Sequence, residues 1–463
     1  MKTLYLFAAA YLTLMLIAIF TLPLRLGEIL QAAGVVHFSF GSFFERIAQT
    51  PAAGPLANLV QLPFALSAPS SRFALRLPSL VFALGSCWLF FRLAKQVSLD
   101  RPYLALLVFL ALPVHYQLAT QGRPYEQGLF LLMLATLFFL RLLDAPSVPF
   151  AVSYAALLTA CIFTEPACYL PAIGYMLFLL RFVISKAIRR ALWFTLPATV
   201  LPVLLFAPYY VWSHPHADPA WPTEQLAVYS WPFPIQVLES VAPGDWSSVA
   251  AIGLFVLLLI GFLAGALSTF RMTTGPVRKR ILLFCLAGGT LVQILSLLFV
   301  NSWNNAPFTP SDILWAAPSL VLLTFAAIQW LSKTPLFRSA LIGPILAALL
   351  VALCVPADLE YLANRRDDLR DLTGLIKPQL AGDACVIFTS EKQSRYLFLL
   401  FQPELERWEC QNFLHRRIVL AIHPFVKPEE QREVEQYFRG LNFVETSRLK
   451  AAGGEVITLR QGR

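Results

Sequence analysis

Apolar residues along this chain neither alternate nor keep to one face of a short helix. They run on in long stretches broken by brief polar joints. A helix needs about 20 apolar residues to cross the hydrocarbon core of a bilayer. Eleven runs near that length can be marked, at roughly 3–24, 73–91, 102–119, 125–143, 149–164, 167–184, 191–212, 248–270, 281–301, 312–332 and 337–356. The fifth is the shortest. The first follows only Lys2 and lacks a small-residue cleavage site, so it reads as a retained anchor.

The pattern changes near Pro356. Beyond it charge is dense and the apolar runs are short. Asp367 to Leu380 is helix-like, Ala384 to Phe388 and Ile418 to Ile422 read as strands, and Pro428 to Leu441 has helical spacing with Pro at its start. Phe443 to Leu459, broken by Gly453-Gly454, reads as a strand pair. The expectation is an α-helical polytopic membrane protein of about eleven transmembrane helices over 1–356, followed by a small C-terminal α/β domain over 357–463.

Composition supports lipid as the solvent. Hydrophobic residues make up 57% of the chain and charged residues 14%, with a mean hydropathy of +0.64. Soluble domains carry about 25% charged residues, and a chain this apolar cannot cover itself with polar groups in water. The net charge of +9 raises the question of nucleic acid, but its location answers it. Lys and Arg gather in alternate loops: Lys2; Arg92, Lys95 and Arg101; Arg141; Arg181, Lys186, Arg189 and Arg190; Arg271, Arg278, Lys279 and Arg280; Lys333 and Arg338. The loops 213–247 and 302–311 contain none. The positive-inside rule then places the N-terminus in the cytoplasm, and eleven crossings place the C-terminal domain outside a bacterial cytoplasmic membrane. No basic cluster is interleaved with exposed aromatics, so nucleic acid is not an expected partner.

The outer loops hold the candidate chemistry. The long segment 25–72 contains Glu28 and an amphipathic stretch, 38–47, suited to the membrane interface. Trp212, Trp221, Trp231 and Trp246 in or beside 213–247 suit the headgroup level. Glu28, Arg123, Glu126, Glu165 and Asp312 fall near the outer ends of predicted helices and so share one depth, as the lining of an outward-facing cavity would. Arg123 opens a helix, where its charge opposes the helix dipole and calls for an anion; a phosphate satisfies that, since Arg grips phosphate at two points.

Plainer readings stand beside these. Glu28 can be an interfacial charge, Arg123 a partner of Glu126 three residues on, Glu165 a solvated loop residue and Asp312 a helix N-cap. His214-Pro215-His216-Ala217-Asp218 has the residue types of a metal trio, but proline breaks its spacing. His37 and His115 lie near the same face. The seven cysteines form no CxxC pair, so no zinc site is signalled, while Cys385 and Cys410 are placed to form a disulfide if the C-terminal domain faces an oxidising compartment. No Gly-rich phosphate loop is present, which argues against a nucleotide-driven pump.

The stretch from Phe73 to Leu143 resembles the family 39 type of GT-C glycosyltransferase, related to protein mannosyltransferases and to the aminoarabinose transferase of lipid A. The shared features are Arg76-Leu77-Pro78-Ser79 at a span start, a late proline in the next span (Pro113), and Gln121-Gly122-Arg123-Pro124-Tyr125 opening the helix after it. Phe43 to Pro63, with Pro55-Leu56, resembles the family's re-entrant first loop. Ser311 to Trp330, with Pro318, resembles its late P-x-L-x-L-L helix, and Gly382 to Ile387 the first strand of the extracytoplasmic domain.

The resemblance implies inverting transfer of a sugar from a polyprenyl-phosphate carrier to a lipid, glycan or protein acceptor on the outer face. It implies Glu28 as general base, with Arg123, Tyr125 and Gln121 at the donor phosphate and lipid. Glu165 and Glu126 are candidates for a second acid or metal ligand; a divalent metal is left open and no other cofactor is implied. The chain departs from the family at Gly27 and Gln121, where acids are usual, at Thr164-Glu165-Pro166 in place of T-H-Y, and at Asp312-Ile313 in place of Arg-Tyr. Two further functions compete: a transporter or flippase for a lipid-linked saccharide, and a non-catalytic assembly partner. A transporter usually shows two related halves with helices broken at the midplane. No such symmetry is visible, and the charges gather at one face.

Overall fold

The computed structural model describes residues 2–22, 28, 32, 35, 54–68, 71–180, 186–213, 246–271, 283, 285–296, 314–332, 341–363, 375–380, 384–388, 417–422, 428–451 and 454–462. The amphipathic stretch 38–47, most of 213–247, the loop 302–311, and Gly27, His37, Asp312 and Cys410 lie outside these residues.

Among the described residues, each of the eleven apolar runs carries helix. In chain order they are α1 (Lys2–Thr21), α2 (Pro55–Ser67) in the first long loop, α3 (Arg72–Gln96), α4 (Pro102–Ala111), α5 (Pro113–Ala119), α6 (Tyr125–Asp144) and α7 (Val148–Thr164). A 3-10 turn (Pro166–Tyr169) leads into α8 (Leu170–Leu179), followed by α9 (Lys186–Ser213), α10 (Trp246–Arg271), α11 (Cys285–Ser296), α12 (Ala317–Leu331) and α13 (Ile342–Ala363). Among the described residues, α3, α6 and the Arg189–Tyr209 part of α9 are each long and apolar enough to cross a membrane, and α4 with α5 makes a fourth as a bent pair. The other runs carry shorter apolar helices. Large side chains such as Trp193 and Leu204 stay exposed on helix faces, which in this setting is lipid contact. The chain is a multi-pass helical membrane protein.

Local chemistry sets the helix ends. Ser71 caps α3, its hydroxyl accepting the Ala74 N–H at 3.2 Å. Proline opens α2, α4 and α5, where its missing N–H costs nothing. Pro113 also forces the residue before it out of the helical region: Leu112 sits at φ −61°, ψ 125°, and α5 leaves α4 at 63°.

Packing is close where side chains are small. Gly261 and Gly265 on α10 lie so near Thr324 and Leu323 of α12 that an added Cβ would approach to 2.5 and 2.3 Å. That is the small-xxx-small contact by which helices in lipid bring their backbones together. At the far end of α3, Ser98 takes a left-handed φ of 56°. Gln329 on α12 fixes this turn by donating to the Ser98 carbonyl (3.2 Å) and Asp100 Oδ1 (2.8 Å).

α13 runs unbroken through Pro356 to Ala363, so the backbone is helical across the change in composition. The C-terminal domain is a mixed sheet of order β1-β2-β4-β3: β1 (Ala384–Phe388), β2 (Arg417–Ile422), β3 (Phe443–Ala451) and β4 (Gly454–Gln461), with α14 (Pro428–Gly440) between β2 and β3. β1 pairs parallel to β2, with Val386 opposite Val419, and the other pairings are antiparallel. Cys385, Ile418, Leu420, Ile457 and Leu459 on one face pack with Phe438 of α14. Of the expected helix from Asp367 to Leu380, the described part is 375–380, with a 3-10 turn at Lys377–Gln379. Cys385 is disulfide-bonded, whereas Cys87, Cys161, Cys168, Cys285 and Cys354 are free.

Candidate functional site

A layer of buried polar side chains lies where α1 ends and α3 and α6 begin. Glu28, Arg76, Ser79, His115, Gln117, Thr120, Gln121, Arg123, Glu126, Gln127 and Thr164 are each at most 7% exposed. Buried polar groups in lipid need partners, and following the partners defines the site.

Arg76, in the second turn of α3, grips Glu28 at two points: Nε donates to Oε1 at 2.7 Å and Nη2 to Oε2 at 2.8 Å. Its remaining nitrogen, Nη1, donates to the carbonyls of Ile19 (3.2 Å) and Leu22 (3.1 Å) at the end of α1. Both side chains are about 1% exposed. Glu28 Oε1 also accepts the Gly122 N–H at 2.6 Å.

That last bond joins Glu28 to the turn carrying Arg123. One residue on, the Arg123 carbonyl accepts from Ser79 Oγ at 3.0 Å, so α3 holds this turn from one side. The Arg123 guanidinium lies over the Tyr125 ring, 5.1 Å from its centroid. Gln121 is buried beside it, and its Oε1 has no hydrogen-bond partner among the described residues.

Glu126, in the first turn of α6, turns inward. Its Oε1 meets His115 Nδ1 at 3.0 Å, and His115 Nε2 meets the Tyr11 hydroxyl at 3.0 Å, with Cys87 Sγ at 3.9 Å. With Nδ1–H donating to the carboxylate, Nε2 of a neutral ring accepts from Tyr11. The ring is stacked on Phe109 at 4.3 Å. The bend at Pro113 is what places His115 there. Glu126 therefore pairs with His115 and not with Arg123, against the spacing-based pairing weighed above. Its Oε2 has no hydrogen-bond partner among the described residues.

Glu165 ends α7 in extended backbone and is half-buried. Thr164 before it joins two elements of the site. Its hydroxyl accepts from Gln127 Nε2 of α6 at 3.2 Å, and its carbonyl accepts the N–H of Gly54 just before α2, at 3.0 Å. From α2, Gln61 Nε2 reaches the Leu75 carbonyl in α3 at 2.7 Å. α2, in the segment that resembles a re-entrant loop, thus ties the start of α3 to the end of α7, which in turn meets α6 through Gln127.

Glu28 meets the turn that carries Gln121, Arg123 and Tyr125, Glu126 turns to His115, and Glu165 follows Thr164, which bonds Gln127 of α6. Arg76 was legible only as one letter of a span-start pattern; an arginine inside an apolar run was the signal of its pairing. Ser79 was likewise only the last letter of that pattern. Among the described residues no group of three or more His, Cys, Asp or Glu is placed to hold a metal ion.

No family model and no curated protein matches this sequence. Solved structures do. The crystal structure of ArnT from Cupriavidus metallidurans in the apo state superposes with a TM-score of 0.56 at 12% identity, over 98% of this chain and 97% of that one. The structure of the same protein bound to undecaprenyl phosphate gives the same values. Over nearly its whole length the chain has the GT-C glycosyltransferase-like fold seen in that aminoarabinose transferase.

Proposed function

We propose that this chain is a glycosyltransferase that uses a polyprenyl-phosphate-linked sugar and works at the outer face of a bacterial inner membrane. The observation that carries the proposal is the buried turn at Arg123, held through its backbone from α3, in a fold shared with a protein crystallised with undecaprenyl phosphate. A guanidinium in a low-dielectric layer binds a phosphate more strongly than one in water.

In the reaction, a hydroxyl oxygen of the acceptor attacks the anomeric carbon of the donor sugar. The bond from that carbon to the phosphate oxygen breaks with its electron pair, and polyprenyl phosphate leaves from the opposite side with inversion. Arg123 holds the phosphate as its charge grows, and Tyr125 braces the guanidinium. The hydroxyl proton passes to a carboxylate. Glu28 is fully buried against Arg76 and Glu126 against His115, and Glu165 is half-buried. Glu165 is assigned that role. Gln121 offers its amide oxygen to a donor hydroxyl.

The test is binding of undecaprenyl phosphate to the purified protein, followed by transfer from a synthetic polyprenyl-phosphate sugar. Arg123→Ala is expected to weaken lipid binding about tenfold or more, since a charge-assisted hydrogen bond contributes roughly 1.5–3 kcal/mol. Glu165→Gln is expected to leave that binding intact and remove turnover. Wild-type affinity in Arg123→Ala would sink the phosphate assignment.

A further inference from the structure

We infer that Glu28 is a positioning residue, which sets the place of Arg123 through the peptide backbone, and is not the proton acceptor. The inference rests on the phosphate-binding reading of Arg123 given above.

Among the described residues, three donors reach the Glu28 carboxylate. Arg76 takes both oxygens, and the Gly122 N–H shares Oε1 at 2.6 Å. A base must turn a lone pair toward its substrate and then hold the proton. Protonating Glu28 would break the two-point grip and leave the buried Arg76 guanidinium without its counter-charge. The same geometry suits a different task. Gly122 is joined to Arg123 by one peptide bond. Glu28 holds the N–H on the near side of Gly122, and Ser79 holds the carbonyl on the far side of Arg123. Arg76 and Ser79 are three residues apart on α3, so they lie on one face of that helix. Gln61 steadies the Leu75 carbonyl, against which Gly122 packs. The two residues are thus clamped at both ends from a single helix, and that helix is tied by Arg76 Nη1 to the end of α1. The guanidinium is in place before the lipid arrives, so binding costs less ordering of the side chain.

The test measures undecaprenyl phosphate binding to full-length protein in nanodiscs, on the folded monodisperse fraction, with thermal unfolding recorded in parallel. Glu28→Gln is expected to weaken binding about tenfold, close to Arg123→Ala, and the double variant to be no weaker than Arg123→Ala alone. A role confined to stability would lower the unfolding temperature and leave the affinity of folded protein unchanged, which overturns the inference. So does normal binding in Glu28→Gln while Arg123→Ala is weakened. Normal binding in Arg123→Ala removes the phosphate reading itself, a separate failure. Should Glu28→Gln not fold, Glu28→Gln/Arg76→Gln leaves no lone charge buried; it is expected to fold and bind about tenfold more weakly, and wild-type affinity in it overturns the inference.

Discussion

Gly122 lies against the backbone of Leu75: a Cβ at Gly122 would come within 2.6 Å of the Leu75 carbonyl oxygen. That oxygen belongs to helix α3 and is also held by Gln61, so it cannot give way cheaply. Gly122→Ala is therefore expected to push the Arg123 turn off α3. The overpacking costs about 1–3 kcal/mol, and undecaprenyl phosphate binding should fall with it. An alanine variant with wild-type stability and lipid affinity would show that the turn is not held as described.

His115 and Glu126 are both fully buried, and each is the other's hydrogen-bond partner. Removing the imidazole leaves a carboxylate without its donor in the centre of the bundle. His115→Ala is expected to lose about 3–5 kcal/mol, whereas Glu126→Gln, which can still accept from Nδ1–H, should lose clearly less. Thermal unfolding in detergent or nanodiscs compares the two, and equal losses would contradict the pairing.

How far the chain could be read before folding depends on the range of the interaction. The eleven apolar runs, the proline ahead of α5 and the strand pair after α14 follow from local chemistry, and each is found in place. The grip of Arg76 on Glu28 spans 48 residues, and no periodicity carries that information. Glu126 shows the converse hazard. Arg123 stands three residues before it, close enough to invite pairing, yet the bend at Pro113 delivers His115 to it instead. A 63° turn is encoded by one proline, but its consequence for a side chain on the next helix is not. The parallel pairing of β1 with β2 was equally out of reach, since strand order depends on the path between them.

The C-terminal domain makes a chemical prediction. Cys385 is in a disulfide, and among the described cysteines Cys87, Cys161, Cys168, Cys285 and Cys354 are free. Alkylation of denatured, unreduced protein should spare Cys385 and label those five. Reduction should lower the stability of the domain by about 2–4 kcal/mol. A structural disulfide fits an oxidising compartment, in line with the expected outward orientation of this domain. Labelling of Cys385 without reductant would count against both.

On the face of the C-terminal sheet that α14 covers, Arg448 meets Glu435 of α14, Glu445 and Glu455, at 3.1, 3.0 and 3.1 Å. Its hydrogen bond to Glu445 pulls that carboxyl below its ordinary value of 4.5. A group whose folded value is depressed stabilises the fold above its unfolded value and loses that contribution as pH falls through the folded one. The side chains are substantially exposed, so the effect is small, on the order of 0.5–1 kcal/mol, and screened by salt. Arg448→Ala should narrow the stability difference between pH 7 and acid solutions below the carboxylate range, more at low salt than at high. An unchanged acid dependence would mean that the cluster contributes nothing.

The Arg76 latch also bears on how the protein is made. A lone guanidinium entering a bilayer costs about 2.5–3.5 kcal/mol on insertion scales. Ile19, Leu22 and Glu28, which receive its hydrogen bonds, all leave the ribosome before Arg76 does, and Gly122 follows later. Translation order thus prepares a socket in the nascent chain before the cation that fills it emerges, and only then adds the turn that the filled socket supports.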